Sequence, residues 1–137
     1  MLDFGRTIRF VAVLGSRDTR PGRHKARAGP VNKLDGDKDV FGDGSVMIFA
    51  TPGHTPGHQS LLVKLPKTGA LVLTGDAIHF KSNWDNRGVP AGNFSKEQTL
   101  APMERIAGIL AKEKAQLWIN HDKAQRDSLK MAPDYYE

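Results

Sequence analysis

Short runs of alternating apolar and polar residues through the first part of the chain are typical of strands. Residues 39–50, "DVFGDGSVMIFA", fit two strands around an Asp-Gly turn. Residues 60–66, "SLLVKLP", are strand-like, and residues 70–76, "ALVLTGD", form a continuous apolar run that suits a strand buried on both faces. The pattern also predicts a short strand over residues 6–14.

In residues 95–115, "SKEQTLAPMERIAGILAKEKA", the apolar residues recur at the spacing of a helix. Ser95, followed three residues later by Gln98, fits a capping box at the start of this helix. Pro102 lies inside the pattern and predicts a kink or a later helix start. The apolar residues at helical spacing are Leu100, Met103, Ile106, Ala107 and Leu110.

The remaining segments complete an α/β order. Residues 77–94 are polar, with Gly, Pro and Asn, and predict a long loop. Residues 117–120, "LWIN", predict a short strand, and residues 123–132, "KAQRDSLKMA", predict a short helix. The sequence therefore predicts an α/β fold with one sheet and helices packed on it.

Composition narrows the chemistry that is open to this chain. Its 137 residues suffice for one domain, with 39% hydrophobic and 26% charged residues as in globular proteins. There is no cysteine, which excludes disulfides and thiolate metal sites, so any metal must be held by His, Asp or Glu. No apolar run is long enough to span a membrane, and the start is a poor secretory signal, so we expect a cytoplasmic protein.

The net positive charge of the chain comes from its first thirty residues alone. Residues 1–30 contain seven basic and two acidic side chains, whereas the rest of the chain contains equal numbers of each. A basic arm of this kind can bind nucleic acid. Because the segment is rich in Gly, Pro and Arg without interleaved aromatics, a solvated and poorly ordered segment is the favoured interpretation and nucleic-acid binding the lesser one.

Residues that commonly bind metals follow three of the predicted strands. His54 comes after one strand through a Pro-Gly turn, Asp76 ends the buried strand, and His121 ends the last strand. Since sites in α/β sheets form beyond the carboxyl ends of strands, we expect these side chains to share a metal site. Coincidence is the alternative, and three such placements count against it.

His54 and His58 lie within the repeat "TPGHTPGHQS", four residues apart. On a helix this spacing would place both rings on one face, but the Pro and Gly residues of the repeat cannot sustain a helix. The loop therefore points the rings in different directions. We expect one histidine to bind metal and the other to hydrogen-bond within the loop.

The motifs "TPGHTPGHQSLL", "LVLTGDA" and "INHD", in this order and spacing, resemble the C-terminal half of the metallo-β-lactamase-fold hydrolases, and in particular the N-acyl homoserine lactonase-like branch. The resemblance covers residues 31–137 and implies one mixed sheet with helices, half of an αββα sandwich. It implies that His54 ligates one metal, that Asp76 bridges two metals and that His121 ligates the second. Zinc is the implied metal, with two ions in the complete site.

The resemblance also suggests roles for the neighbours of these ligands. His58 would support the loop rather than bind metal, and Asp122 would orient the site by hydrogen bonding. Lactonases of this branch place a Tyr three residues after the bridging Asp, where this chain has His79. His79 is therefore either an acid–base group beside Asp76 or a wall of the pocket.

The implied reaction is hydrolysis of a lactone or ester by hydroxide that the metals generate, with Asp76 as a central catalytic residue. The small-molecule substrate would lie against the loop that carries Phe80, Trp84 and Asn86. An aromatic cover over the sheet edge is an equally good interpretation of that loop.

The family's His-x-His-x-Asp-His segment is absent from this chain. Each metal would then keep only two of the three ligands, so we expect weak binding or a single ion that uses all three. Half of a sandwich would also expose one apolar sheet face, which favours homo-oligomers. The candidate residues on that face are Val46, Ile48, Leu61, Val63, Leu71 and Leu73. A non-catalytic half-domain that needs a partner is therefore the alternative to an active hydrolase.

Overall fold

The computed structural model describes residues 34–90 and 92–137. The strand predicted over residues 6–14 and the predicted boundary between a basic segment (residues 1–30) and the domain (residues 31–137) lie outside the described residues. No helix in these two ranges has the length and apolar character needed to cross a bilayer.

The strands of the described residues form one mixed sheet, in the order in which they occur along the chain. They are β1 (Lys38–Asp39), β2 (Val46–Ala50), β3 (Gln59–Leu65), β4 (Gly69–Leu73) and β5 (Gln116–Trp118). Neighbours from β1 to β4 pair antiparallel, and β5 pairs parallel to β4. The predicted α/β class with a mixed sheet is confirmed. As a consequence of this pairing, β2, β4 and β5 run in the same direction.

Three helices accompany the sheet in the described part of the chain. They are α1 (Lys81–Asn86), α2 (Lys96–Glu113) and α3 (Lys123–Ser128), and a 3-10 turn spans Gly75–Ala77. The prediction of an uninterrupted loop over residues 77–94 is wrong, because it missed α1 and the 3-10 turn. The α1 sequence "KSNWDN" is poor in strong helix formers, so a bond from the Phe80 amide to the Asn83 side chain starts the helix instead.

Helix α2 begins at Lys96 and continues through Pro102, so the predicted later start is wrong. Burial of the residues around the proline offsets the missing backbone hydrogen bond. Only half of the expected capping box forms. Ser95 Oγ accepts from the Gln98 amide at 3.2 Å, whereas the Ser95 amide donates to the carbonyl of Gly53 at 3.2 Å. The helix start is thus attached to the loop after β2.

Helix α2 covers one face of the sheet and forms the main core with it. The buried members of this core are Phe49, Leu62, Val72, Ala77, Ile78, Met103, Ile106 and Ile119. Leu71 and Val72, on opposite faces of β4, are both buried, as the continuous apolar run predicted. Strand β4 and the turn that follows it are therefore held firmly from this side.

The opposite sheet face is less exposed than the sequence predicted. Of its six candidate residues, Val46, Val63 and Leu71 are buried, while the other three are partly buried. The C-terminal segment packs over this face, with the ring of Tyr136 4.8 Å from that of Trp118. The expectation that this face is exposed is therefore wrong in part, because the end of the chain packs over it. Oligomerisation through this face stays a prediction.

Replacement of Gly53 by alanine is expected to destabilise the fold by about 2–4 kcal/mol. Gly53 has φ +142°, and a Cβ placed there would lie 2.5 Å from Thr99 Oγ1 and 2.7 Å from Thr99 Cα. Gly57→Ala in the same loop is the matched control, since its Cβ would meet nothing within 4 Å. Urea unfolding measures both free energies. A Gly53→Ala loss no larger than that of Gly57→Ala would contradict the close packing of this loop on α2.

Candidate metal centre

Three loops meet at one edge of the sheet, because β2, β4 and β5 all end there. The loop after β2 carries His54, the 3-10 turn after β4 carries Asp76, and the segment after β5 carries His121. Because these three strands run in the same direction, the residues that follow them come together, as the sequence predicted.

Asp76 lies between two histidines and presents one carboxylate oxygen to each. Its Oδ1 lies 2.8 Å from His121 Nε2, and its Oδ2 lies 3.5 Å from His54 Nε2. The three side chains are 29% (His54), 40% (Asp76) and 52% (His121) exposed, so the carboxylate is accessible from outside the protein. The structure thus brings together all three residues that the sequence predicted as metal ligands.

His79 belongs to the same cluster. Its ring centroid lies 5.3 Å from that of His54 and 5.1 Å from that of His121. Its Nε2 is buried and has no hydrogen-bond partner among the described residues. Ligand atoms of His79, Asp76 and His121 all lie within 4.8 Å of one another, which makes this trio a candidate metal site.

His58 points away from this cluster and uses both ring nitrogens within the protein. Its Nε2 accepts a 2.9 Å hydrogen bond from the Asp76 amide, and its Nδ1 lies 2.8 Å from Thr51 Oγ1. Gly75, with φ +56°, permits this approach, since a Cβ there would lie 2.9 Å from His58 Nε2. His58 therefore joins the loop after β2 to the turn after β4.

Buried hydroxyl groups hold the His58 ring on the side away from Asp76. Thr51 Oγ1 lies 2.8 Å from Ser60 Oγ, and Ser60 Oγ donates to the carbonyl of Thr74 at 2.8 Å. All three residues are almost fully buried. Because the chain of contacts has no unpaired hydroxyl, it fixes the position of the His58 ring relative to β4.

Asp122 contacts the two short helices beside the site rather than His121. Its Oδ1 accepts from the Gln125 amide at 3.0 Å and its Oδ2 accepts from the Lys81 amide at 2.8 Å. These two backbone hydrogen bonds lower the pKa of the Asp122 carboxyl. Asp122 thereby ties the starts of α1 and α3 together next to His121.

The residues proposed as a substrate pocket take three different positions. Phe80 is half exposed, with its ring 6.4 Å from that of His79. Trp84 packs against the main core, with the guanidinium of Arg87 4.4 Å from its ring. Asn86 donates to the carbonyl of Ser82 within α1. Of the three, Phe80 is the one with a contact to the histidine cluster.

The sequence reasoning missed Asn93. Its Oδ1 lies 3.2 Å from His54 Nδ1, and its Nδ2 donates to Thr99 Oγ1 at 3.1 Å. When Nδ1 of His54 carries the proton, Nε2 is left with a lone pair directed at the cluster. An Asn within a polar loop gives no sequence signal for this role.

The electrostatics of the cluster favour the charged form of the Asp76 carboxyl and the neutral form of the His79 and His58 rings. Burial acts to raise the pKa of Asp76, but the hydrogen bond and charge of His121, with smaller effects of His54 and His79, bring that pKa below its usual value. Burial, reinforced by the charge of His121, lowers the pKa of His79. Burial likewise lowers the pKa of His58 against the opposing effect of the Thr51 backbone.

This donor set fits a divalent transition metal. Neutral imidazole nitrogens and one carboxylate are ligands that zinc and its neighbours accept in proteins. The unpaired, buried Nε2 of His79 gives a second indication, since a buried polar atom normally has a partner.

Comparison with known proteins agrees with this fold. No family model matches the chain. The chain is 36% identical over 104 residues to the N-acyl homoserine lactonase AttM of Azorhizobium caulinodans, which covers 76% of this chain and 40% of that protein. It is 39% identical over 102 residues to an N-acyl homoserine lactonase of a Bacillus species, covering 74% and 40%.

A solved structure gives the same result. It is an N-acyl homoserine lactone hydrolase with the product N-hexanoyl-L-homoserine bound at the catalytic metal center, and it superposes with a TM-score of 0.68 at 35% identity. The match covers 74% of this chain and 40% of that one. The fold is thus that of the C-terminal portion of the metallo-β-lactamase-fold lactonases.

Within that fold, the homologues of this chain are N-acyl homoserine lactonases. The chain spans about 40% of the length of the relatives it matches.

His58→Ala is expected to lower the free energy of unfolding by about 1–3 kcal/mol, because the partly buried Asp76 amide loses its acceptor. His121→Ala removes an exposed pairing and should cost less than about 1 kcal/mol. Urea denaturation of the two variants measures the difference. Equal losses would show that His58 does not hold the two loops together.

Proposed function

We propose that this chain is the metal-binding part of a metal-dependent hydrolase that opens the ring of N-acyl homoserine lactones. The observation that carries the proposal is the placement of Asp76, whose two carboxylate oxygens face His121 and His54 separately. A carboxylate in that position suits a bridge between two metal ions. The lactonase relatives supply the class of substrate.

His54, Asp76 and His121 are the proposed ligands of zinc. A zinc ion held there would supply Lewis-acid polarisation of the lactone carbonyl and activation of a water molecule. Because the chain covers only part of its relatives, we assign these ligands to this chain and leave further ligands to the remainder of a complete enzyme.

The protein's own groups hold the ligands in place. His58 fixes the amide of Asp76, and the Oδ1 of Asn93 fixes the ring of His54. Side chains preorganised in this way lose little freedom when the reaction begins. Asp122 fixes the helix starts on either side of His121.

Two exposed aromatic residues border the cluster and offer an apolar surface for an acyl chain. Phe80 is 50% exposed and contacts His79, whereas Phe94 is 67% exposed and its amide donates to the carbonyl of His54. A fatty acyl group on the lactone nitrogen would cover such surface. This arrangement supports an N-acylated lactone over a small unsubstituted ester. We further propose a cytoplasmic location.

Zinc-loaded protein is expected to hydrolyse N-hexanoyl homoserine lactone faster than buffer with zinc alone. Asp76→Asn should reduce the rate by about 100-fold or more, because the shared ligand loses its charge. Asp127→Asn is the matched control, since Asp127 pairs with Lys123 on the surface of α3. Ring opening is followed by base consumption at constant pH. Equal rates for Asp76→Asn and the unmodified protein would refute the proposed function.

A further inference from the structure

The three histidines around Asp76 are not equivalent in their partners. His54 Nδ1 is engaged by Asn93, and His54 Nε2 lies 3.5 Å from the carboxylate. His121 Nε2 lies directly on Asp76 at 2.8 Å. His79 Nε2 is buried and has no partner among the residues described here. His79 is therefore the histidine whose surroundings leave a hydrogen-bonding requirement unfilled.

An unpaired imidazole nitrogen at this depth is costly unless something binds it. Buried polar atoms in proteins almost always have a hydrogen-bond partner or a bound ligand, because desolvating one without a partner is unfavourable. The carboxylate of Asp76 and the ring of His121 are close to His79. One ligand atom from each of these three side chains lies within 4.8 Å of the other two. Ligand atoms bonded at about 2.0–2.2 Å to one tetrahedral ion lie about 3.3–3.6 Å apart, so side-chain rotations that move the ligand atoms by about 1 Å close the set.

We propose that Asp76, His79 and His121 together bind one divalent transition-metal ion, with His79 Nε2 as the third ligand. Two histidines and one carboxylate meet the usual count of three protein ligands for a catalytic zinc, with one position left open. The site is complete within this chain and does not require the absent His-x-His-x-Asp-His segment. It rests on the proposed function in using the same carboxylate, and it makes His79 a metal ligand instead of an acid–base group or a wall of the pocket.

His54 then serves a different ion position. Its Nε2 lies 3.5 Å from Oδ2 of Asp76, whereas His121 lies on Oδ1 of the same carboxylate. Two ligands give weak binding, so an ion there depends on groups beyond those described. The three-ligand position should therefore fill first when zinc is scarce.

Zinc affinity of the intact chain and its variants tests this assignment. Zinc sulfate is titrated calorimetrically into the unmodified protein, His79→Phe, His54→Phe and Asp76→Asn, and bound metal is counted by mass spectrometry after gel filtration. Phenylalanine keeps a planar aromatic ring, somewhat larger than imidazole, and removes the ligand atom. One ion per chain is expected, with a loss of at least about 100-fold in affinity for His79→Phe and less than about tenfold for His54→Phe.

The zinc affinities of the variants distinguish a failure of the His79 assignment from a failure of the proposed function. Unchanged affinity in His79→Phe together with a large loss in Asp76→Asn overturns the role of His79 and leaves the proposed function standing. Unchanged affinity in Asp76→Asn overturns both. An equal loss in His54→Phe and His79→Phe also contradicts the three-ligand site, because the ion would then use His54.

A measurement on the unmodified protein avoids dependence on how His79→Phe folds. Nitrogen-15 spectra of the histidine rings during zinc addition report each ring nitrogen separately. Zinc should shift the Nε2 resonance of His79 strongly and that of His58 little, since both nitrogens of His58 are occupied by the protein. An unshifted His79 resonance in zinc-saturated protein would overturn the proposal.

Discussion

The hydrogen bond from the Asp76 amide to Nε2 of His58 holds the candidate site together. It joins the loop after β2, which carries His54, to the turn after β4, which carries Asp76. Gly75 allows the ring to approach that closely. Because this bond occupies Nε2 and Thr51 occupies Nδ1, His58 is unavailable to a metal, and the two histidines of the Pro-Gly-His repeat have different roles.

Strand direction explains why the main part of the site was predictable. Metal-binding residues at the ends of β2, β4 and β5 must meet at one edge, since these strands run the same way in the sheet. The resemblance to the lactonases drew attention to His79 as an acid–base group or a pocket wall, but its place beside the ligand atoms of Asp76 and His121 depends on a loop conformation. Asn93 depends on the same loop and on contact with Thr99, neither of which a residue pattern contains.

The parts of the fold that the sequence missed have a common cause. Helix α1 is short and built from residues of low helix propensity, so local side-chain bonds define it instead of an apolar period. The second sheet face is partly covered because Tyr136 packs on Trp118. These residues are 18 positions apart, and no sequence pattern indicates that they are in contact. By contrast, the buried run in β4 and the helical period of α2 were predicted, because apolar spacing alone determines them.

The proposed chemistry depends on a metal ion bound at Asp76 between the imidazole rings. Crystals grown with zinc and measured on both sides of the zinc absorption edge test it most directly, since the anomalous difference map locates the ion independently of any activity. The expected result is a peak within bonding distance of a carboxylate oxygen of Asp76 and of His121, with His79 Nε2 as the third protein ligand. A zinc-saturated crystal with its peaks elsewhere and none at Asp76 would contradict it.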